Sequence, residues 1–127
     1  MGYFFRMAVG LAILAVGCGQ SRPTMVGGKP VQEWRQALQD PNPKTRKKAA
    51  TKLGNAGAVD STVIPALVGA LQDRDAGVRA EAVLALLRIG PAAREAFPAL
   101  REMARTDKDA RVRAYAAKAL EKLQDDS

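Results

Sequence analysis

The 127-residue chain has no histidine, a single cysteine and few aromatics, 5% of residues. Without histidine there is no Ser-His-Asp triad, no imidazole ligand for a metal and no side chain that changes charge near neutral pH in its unperturbed state. One cysteine excludes an internal disulfide and a Cys-rich zinc site. Few aromatics argue against a sheet, which favours aromatic and β-branched side chains. Acids are the minority charge, 13 against 20 Lys plus Arg, for a formal net charge of +7. What is abundant is alanine, 24 residues, a composition suited to closely packed helices. The length leaves room for one small domain.

The first residues read as an address. Met1-Gly-Tyr-Phe-Phe-Arg6 precedes an apolar run over 7–17. Eleven residues fall short of the ~20 that span a bilayer as a helix. A basic residue, a short apolar stretch and then small residues form the layout of a secretory signal peptide. The lone cysteine, Cys18, stands where the run ends. Ala15-Val16-Gly17-Cys18 resembles a bacterial lipobox. That resemblance implies a diacylglycerol on the Cys18 thiol, cleavage just before it, and a protein exported and lipid-anchored to a cell membrane facing the periplasm. The segment departs from the usual pattern in two ways: Ala15 replaces the common Leu, and Arg6 is the only basic residue of the leader. An ordinary signal peptide and a short uncleaved anchor are the alternatives. Loss of Arg6 lowers the formal charge from +7 to +6. Residues 18–30, with three Gly over 19–29, read as the lipidated cysteine and a flexible tether.

The remainder is one unit written three times. Ala37-Leu-Gln-Asp40 lies over Ala70-Leu-Gln-Asp73 at an offset of 33. Arg46, Ala49, Leu53 and Gly57 fall on Arg79, Ala82, Leu86 and Gly90, and eleven of the 33 aligned positions are identical. A third copy follows at offset 34, where Asp73, Asp75, Val78 and Arg79 fall on Asp107, Asp109, Val112 and Arg113. The units cover about 31–57, 61–90 and 92–124, with a polar tail at 125–127.

Apolar spacing of i, i+3, i+7 places two helices in each unit. In unit one, Val31, Trp34, Ala37 and Leu38 mark the first helix, and 43–56 is the second. In unit two, Ile64, Leu67, Ala70 and Leu71 mark the first, capped by Ser61 or Thr62 and ending near Gln72. Asp75 caps the second, which runs to Ile89 and stops at Gly90-Pro91. In unit three, Phe97, Leu100, Met103 and Ala104 precede a helix over 109–124. Pro41, Pro43, Thr45 and Gly54 set unit one apart; Gly54 is expected to interrupt its second helix and loosen the unit or make it a cap. One helix cannot bury its stripe alone, but stacked pairs can.

The phrase over 70–86, then Ile89-Gly-Pro-Ala-Ala and Phe97-Pro-Ala-Leu, resembles a HEAT repeat of the short type also found in phycobilisome lyases. The resemblance spans 31–123. It implies an all-α fold, a short α-solenoid of about three helix pairs stacked in a right-handed superhelix. It also implies that Asp40, Arg46, Asp73, Arg79, Asp107 and Arg113 form a hydrogen-bonded ladder between units rather than a binding strip. Trp34 aligns with Leu67 and Leu100, which are core positions.

In such solenoids the second helices line the concave side. Outside their apolar stripes, unit one offers Lys44, Lys48, Thr51 and Asn55. Unit two offers Gly77, Glu81, Leu84 and Arg88, and unit three Arg111, Tyr115, Lys118 and Lys122. Six of these twelve are basic and one is acidic. Lys44, Lys48, Leu84, Arg88, Arg111, Tyr115 and Lys118 therefore make a candidate docking face for an acidic protein segment. A merely solvated helix face is the alternative. The run 44–48 with Lys52 is a second basic cluster, of a kind that meets anionic headgroups or polyanions. Neither a phosphate-binding loop nor a metal signature appears, and no cofactor or metal is expected. The expected role is a non-enzymatic scaffold held at a membrane by its lipid. Three rivals are a polyanion or nucleic-acid binder, an accessory protein of a chromophore-lyase-like system and a purely structural module. Nucleic acid is disfavoured because an exported protein meets little of it. The oligomeric state is left open.

Overall fold

A computed structural model describes residues 21–57 and 59–125. The expected signal peptide and Cys18 lie outside the described residues. Two short strands, β1 (Met25–Val26) and β2 (Lys29–Pro30), precede six helices. These are α1 (Val31–Ala37), α2 (Pro43–Ala56), α3 (Val63–Ala70), α4 (Ala76–Ile89), α5 (Phe97–Thr106) and α6 (Ala110–Asp125). They pack as three successive pairs, α1 with α2, α3 with α4 and α5 with α6, and the chain is a short all-α solenoid. The second helices carry the stack: α2 packs on α4 and α4 on α6.

Local chemistry sets each helix start. Asn42 Oδ1 accepts the Lys44 N–H at 2.9 Å, and Pro43 fills the first position of α2, where its missing N–H leaves no bond unmade. Asp75 Oδ2 accepts from Val78 N at 3.0 Å, and Asp109 Oδ1 from Arg111 N at 2.8 Å. The cap of α3 differs from expectation. Thr62 makes no side-chain cap bond; Asp60 Oδ1 instead accepts both the Thr62 N–H and its hydroxyl. Thr62 has helical rather than extended backbone angles, unlike a usual capping residue, and its hydroxyl turns back to donate to Asp60. After α4, a 3-10 segment (Gly90–Ala96) carries the chain to α5, with Ala93 and Ala96 fully buried.

The core is a column of Leu, Val and Ala. Leu53, Leu67, Leu86 and Leu100 are wholly buried, and so are Ala49, Ala82 and Ala116, which are equivalent in the three units. Trp34 is buried with them. Small side chains at these positions let successive second helices approach closely.

Gly54 does not interrupt α2, which continues unbroken to Ala56. A Cβ built on Gly54 would stand 2.8 Å from Ala85 Cβ and 2.9 Å from Ala85 Cα. Glycine is there because the α4 backbone is there. Unit one is thus closed by its glycine rather than loosened by it.

The stretch read as a tether is folded from Thr24 onward. Met25 pairs with Pro30 and Val26 with Lys29. Gly27 and Gly28 turn the chain with φ of 56° and 81°, angles that a two-residue primed turn needs and that glycine adopts without strain. Val26 O accepts the Trp34 indole N–H at 2.8 Å, and Thr24 O accepts from Val31 N at 2.8 Å. Lys29 Nζ lies 5.4 Å from the Trp34 ring centroid. The hairpin docks beside α1 and α2, with Gly27 against the stem of Lys52.

Candidate functional site

Two sets of residues emerge from the sequence: the ladder and the docking face. In the ladder, Arg46 donates from Nε and Nη2 to both carboxylate oxygens of Asp73, at 2.9 and 3.1 Å. Its Nη1 donates to the carbonyls of Asp40 and Pro41, at 2.8 and 3.0 Å. Arg79 repeats the arrangement one unit on, with Asp107 at 2.9 and 3.0 Å and the carbonyls of Asp73 and Arg74 at 2.9 and 3.3 Å. Each guanidinium therefore binds its own unit's turn through backbone and the next unit's aspartate through the side chain. The planar fork of arginine matches both demands at once. Arg113 keeps the backbone half, donating to Asp107 O and Lys108 O.

Each aspartate is also held from behind. Asp73 Oδ1 accepts from Asp75 N, and Asp107 Oδ1 from Asp109 N, both at 2.9 Å. Asp40 Oδ1 accepts from Asn42 N at 2.8 Å. Burial alone would raise the Asp107 carboxyl. The Arg79 hydrogen bond, the Asp109 amide and the nearby guanidinium charges outweigh it and hold the group below the usual carboxylate range. Arg79 is raised, chiefly by its hydrogen bond to Asp107, against desolvation.

The docking-face residues do not all serve one surface. Leu84, Arg111 and Tyr115 line one shallow pocket of about 180 Å³ between α4 and α6, together with Gly77 and Ala80. Tyr115 stays 41% exposed in a protein whose large apolar side chains are mostly buried. Arg88 stays 40% exposed but does not line the pocket: it donates to Glu81 Oε1 at 2.6 Å and also to Thr51 O and Asn55 Oδ1. It ties α4 to α2. Its place is taken by Lys47, which lines the pocket and was legible only as part of the basic run. Lys44, Lys48 and Lys118 are exposed on the same helices but lie outside the pocket lining.

Two acids border this pocket, Glu81 and Asp109. Both are occupied internally. Glu81 accepts from Thr51 Oγ1 and Arg88, and Asp109 caps α6. Lys47 makes no ion pair among the described residues, and Arg111 approaches Asp109 only at 3.9 Å. The pocket thus sets Leu84 and Tyr115 beside Lys47, which makes no ion pair among the described residues, and Arg111, which makes only a long one.

A larger groove, about 660 Å³, opens on the other layer, where α1 and α3 barely meet. Gln32, Gln36, Gln39, Arg35 and Arg74 line it with Pro65. Its polar walls include the engaged ladder groups Arg46, Asp40 and Asp73, and it has no aromatic or apolar anchor comparable to Tyr115.

No curated protein matches the chain. The sequence profile of HEAT repeats matches residues 31–123, the span over which the three helix pairs stack. Such repeats commonly mediate protein interaction, and their fold is typically a helical scaffold. The repeat period, the paired helices and the family match agree, and the chain belongs to the HEAT-repeat family.

Proposed function

We propose that this protein is a non-enzymatic, membrane-tethered HEAT-repeat scaffold that binds an acidic segment of a protein partner through the α2–α4–α6 layer. The observation carrying the reading is the pocket where Leu84 and Tyr115 lie between Lys47 and Arg111. Exposed Tyr and Arg side chains beside a recess are the residue types that dominate binding energy at interfaces. The formal charge of +6 once Arg6 is lost favours an acidic partner and speeds its approach. The tether rests on the leader and on Cys18, whose acylation would hold the domain at the membrane. One chain alone binds marginally, so firm anchoring needs the several acyl chains that the lipobox resemblance implies.

Cys18→Ser should move the full-length protein from the membrane to the soluble fraction and abolish labelling by a lipid precursor. Persistence in membranes without label would remove the lipoprotein part of the reading. Separately, Lys47→Glu with Arg111→Glu and Tyr115→Ala should empty the set of proteins crosslinked to the wild type in intact cells. These three side chains are at the surface, so the thermal transition should stay within a few degrees. An unchanged crosslinked set in a folded variant would reject the face.

A further inference from the structure

The ladder is open at both ends, and the two ends match. At one end, Asp40 has the carboxylate geometry of Asp73 and Asp107, with Oδ1 held by the N–H two residues on. No arginine donates to its carboxylate among the described residues. At the other end, Arg113 has the backbone half of the Arg46 and Arg79 arrangement. Its Nε and Nη2, which in Arg46 and Arg79 bind an aspartate, have no hydrogen-bond partner among the described residues.

A second pair of positions follows the same logic. Inside the solenoid, Gly54 of unit one faces Ala85 of unit two at the closest approach of α2 and α4. Their repeat equivalents at the two ends are Glu121, matching Gly54, and Lys52, matching Ala85. A neutral contact inside the stack is therefore replaced at its ends by an acid on one and a base on the other.

We propose that copies of this protein stack head to tail, with Arg113 of one copy donating to Asp40 of the next and Glu121 approaching Lys52. The contact repeats the unit-to-unit geometry between chains. It joins two different surfaces, so it is heterologous and extends rather than closes unless the rotation happens to complete a ring. Two features keep it weak. Gly27 of the hairpin packs over Lys52, so the hairpin must yield before that pair closes. The spacing that sets Thr51 against Glu81 would also set Lys118 of one copy against Lys48 of the next, a like-charge contact at the exposed rim. The stack is accordingly reversible and forms at high local concentration, as on a membrane surface.

Sedimentation velocity of the protein over a wide concentration range tests this. Wild type should show a sedimentation coefficient that rises with concentration. Arg113→Asp alone and Asp40→Arg alone should each remain monomeric, since each sets like charges against each other, with association at least tenfold weaker. Mixing the two variants should restore association, because every contact in the mixture is again of opposite charge. Asp40→Asn, which keeps the turn and removes the charge, covers the case in which Asp40→Arg fails to fold; it should also weaken association. Wild type that stays monomeric throughout, or folded variants that associate as wild type does, would overturn the proposal.

Discussion

Arg79→Ala should destabilise the protein by about 3 kcal/mol or more at neutral pH, the range for removing one partner of a buried pair. The Arg79 and Asp107 side chains are 14% and 7% exposed. The guanidinium supplies two hydrogen bonds to Asp107 and two to the turn behind it. Its loss leaves a buried carboxylate with only the Asp109 amide for support. In a domain of about this size each kcal/mol lowers the melting temperature by roughly 4–8 °C. Total stabilities are commonly about 5–15 kcal/mol, so the variant sits near the edge of folding.

The pH dependence of that loss has a definite sign. In the wild type Asp107 titrates below its ordinary value. Its contribution is present above the unfolded pKa, near 3.8, and is lost as pH falls through the lower folded value. In the variant the Arg79 hydrogen bond and charge are gone, so the Asp107 carboxyl titrates higher than in the wild type. The folded variant therefore takes up its proton at a higher pH than the folded wild type, and it loses less stability than the wild type as pH falls. Urea unfolding at neutral pH and below pH 4 should therefore show the gap between wild type and variant shrinking with acid. A gap that stays constant would mean that the Arg79–Asp107 pair is not what the substitution removes.

Gly54→Ala should destabilise by about 1–3 kcal/mol, the usual range for overpacking, although the same change normally favours a helix by up to about 1 kcal/mol. The sign is decided by Ala85. The new methyl would stand 2.9 Å from the Ala85 Cα, and a backbone atom in a packed helix cannot swing aside. Gly69→Ala is the matched control. Gly69 lies in α3 with nothing within 4 Å of an added Cβ, and this change should stabilise by roughly 0.5–1 kcal/mol. Chemical denaturation of the two variants side by side separates the effects. Stabilisation by both would show that α2 and α4 do not meet closely at this point.

The contrast between these glycines shows what a repeated sequence reveals and what it hides. Aligning units identified equivalent positions, and it brought out α2 over 43–56 and α4 over 76–89 with the α4 cap at Asp75; the α2 cap, Asn42, came only with the structure. It also picked out the six ladder residues. It carried no information on the offset across units, so the partner of Arg46 emerges only in the folded stack, as Asp73 rather than the Asp40 side chain. The place of Lys47 in the pocket, and the internal bonds of Arg88, were hidden for the same reason. The unit-to-unit displacement brings Arg88 against Thr51 and Asn55 and leaves Lys47 beside Gly77 and Ala80. The hairpin was hidden differently. Its turn signal, Gly27-Gly28, is also a linker signal, and what fixes it is remote: the Trp34 indole N–H and the Lys52 stem.

The ladder and the pocket are consequences of one geometry. Stacking at a near-constant offset aligns the guanidiniums with the next unit's aspartates along one edge. It aligns Leu84 with Tyr115 in the second-helix layer. Beside that pocket the two acids, Glu81 and Asp109, are spent on internal bonds, while Lys47 makes no ion pair among the described residues and Arg111 only a long one. This division leaves a basic surface with an aromatic rim, the face proposed to meet an acidic partner.

Chemical-shift mapping tests that conclusion most directly. The full chain would be titrated with a synthetic acidic peptide carrying one central aromatic residue. Perturbations should concentrate on Gly77, Ala80, Leu84, Arg111 and Tyr115, and Lys47→Glu should weaken binding about tenfold, or 1.4 kcal/mol. Perturbations confined to the α1–α3 groove around Gln32, Gln36 and Arg74, or binding unaffected by Lys47→Glu, would contradict the account.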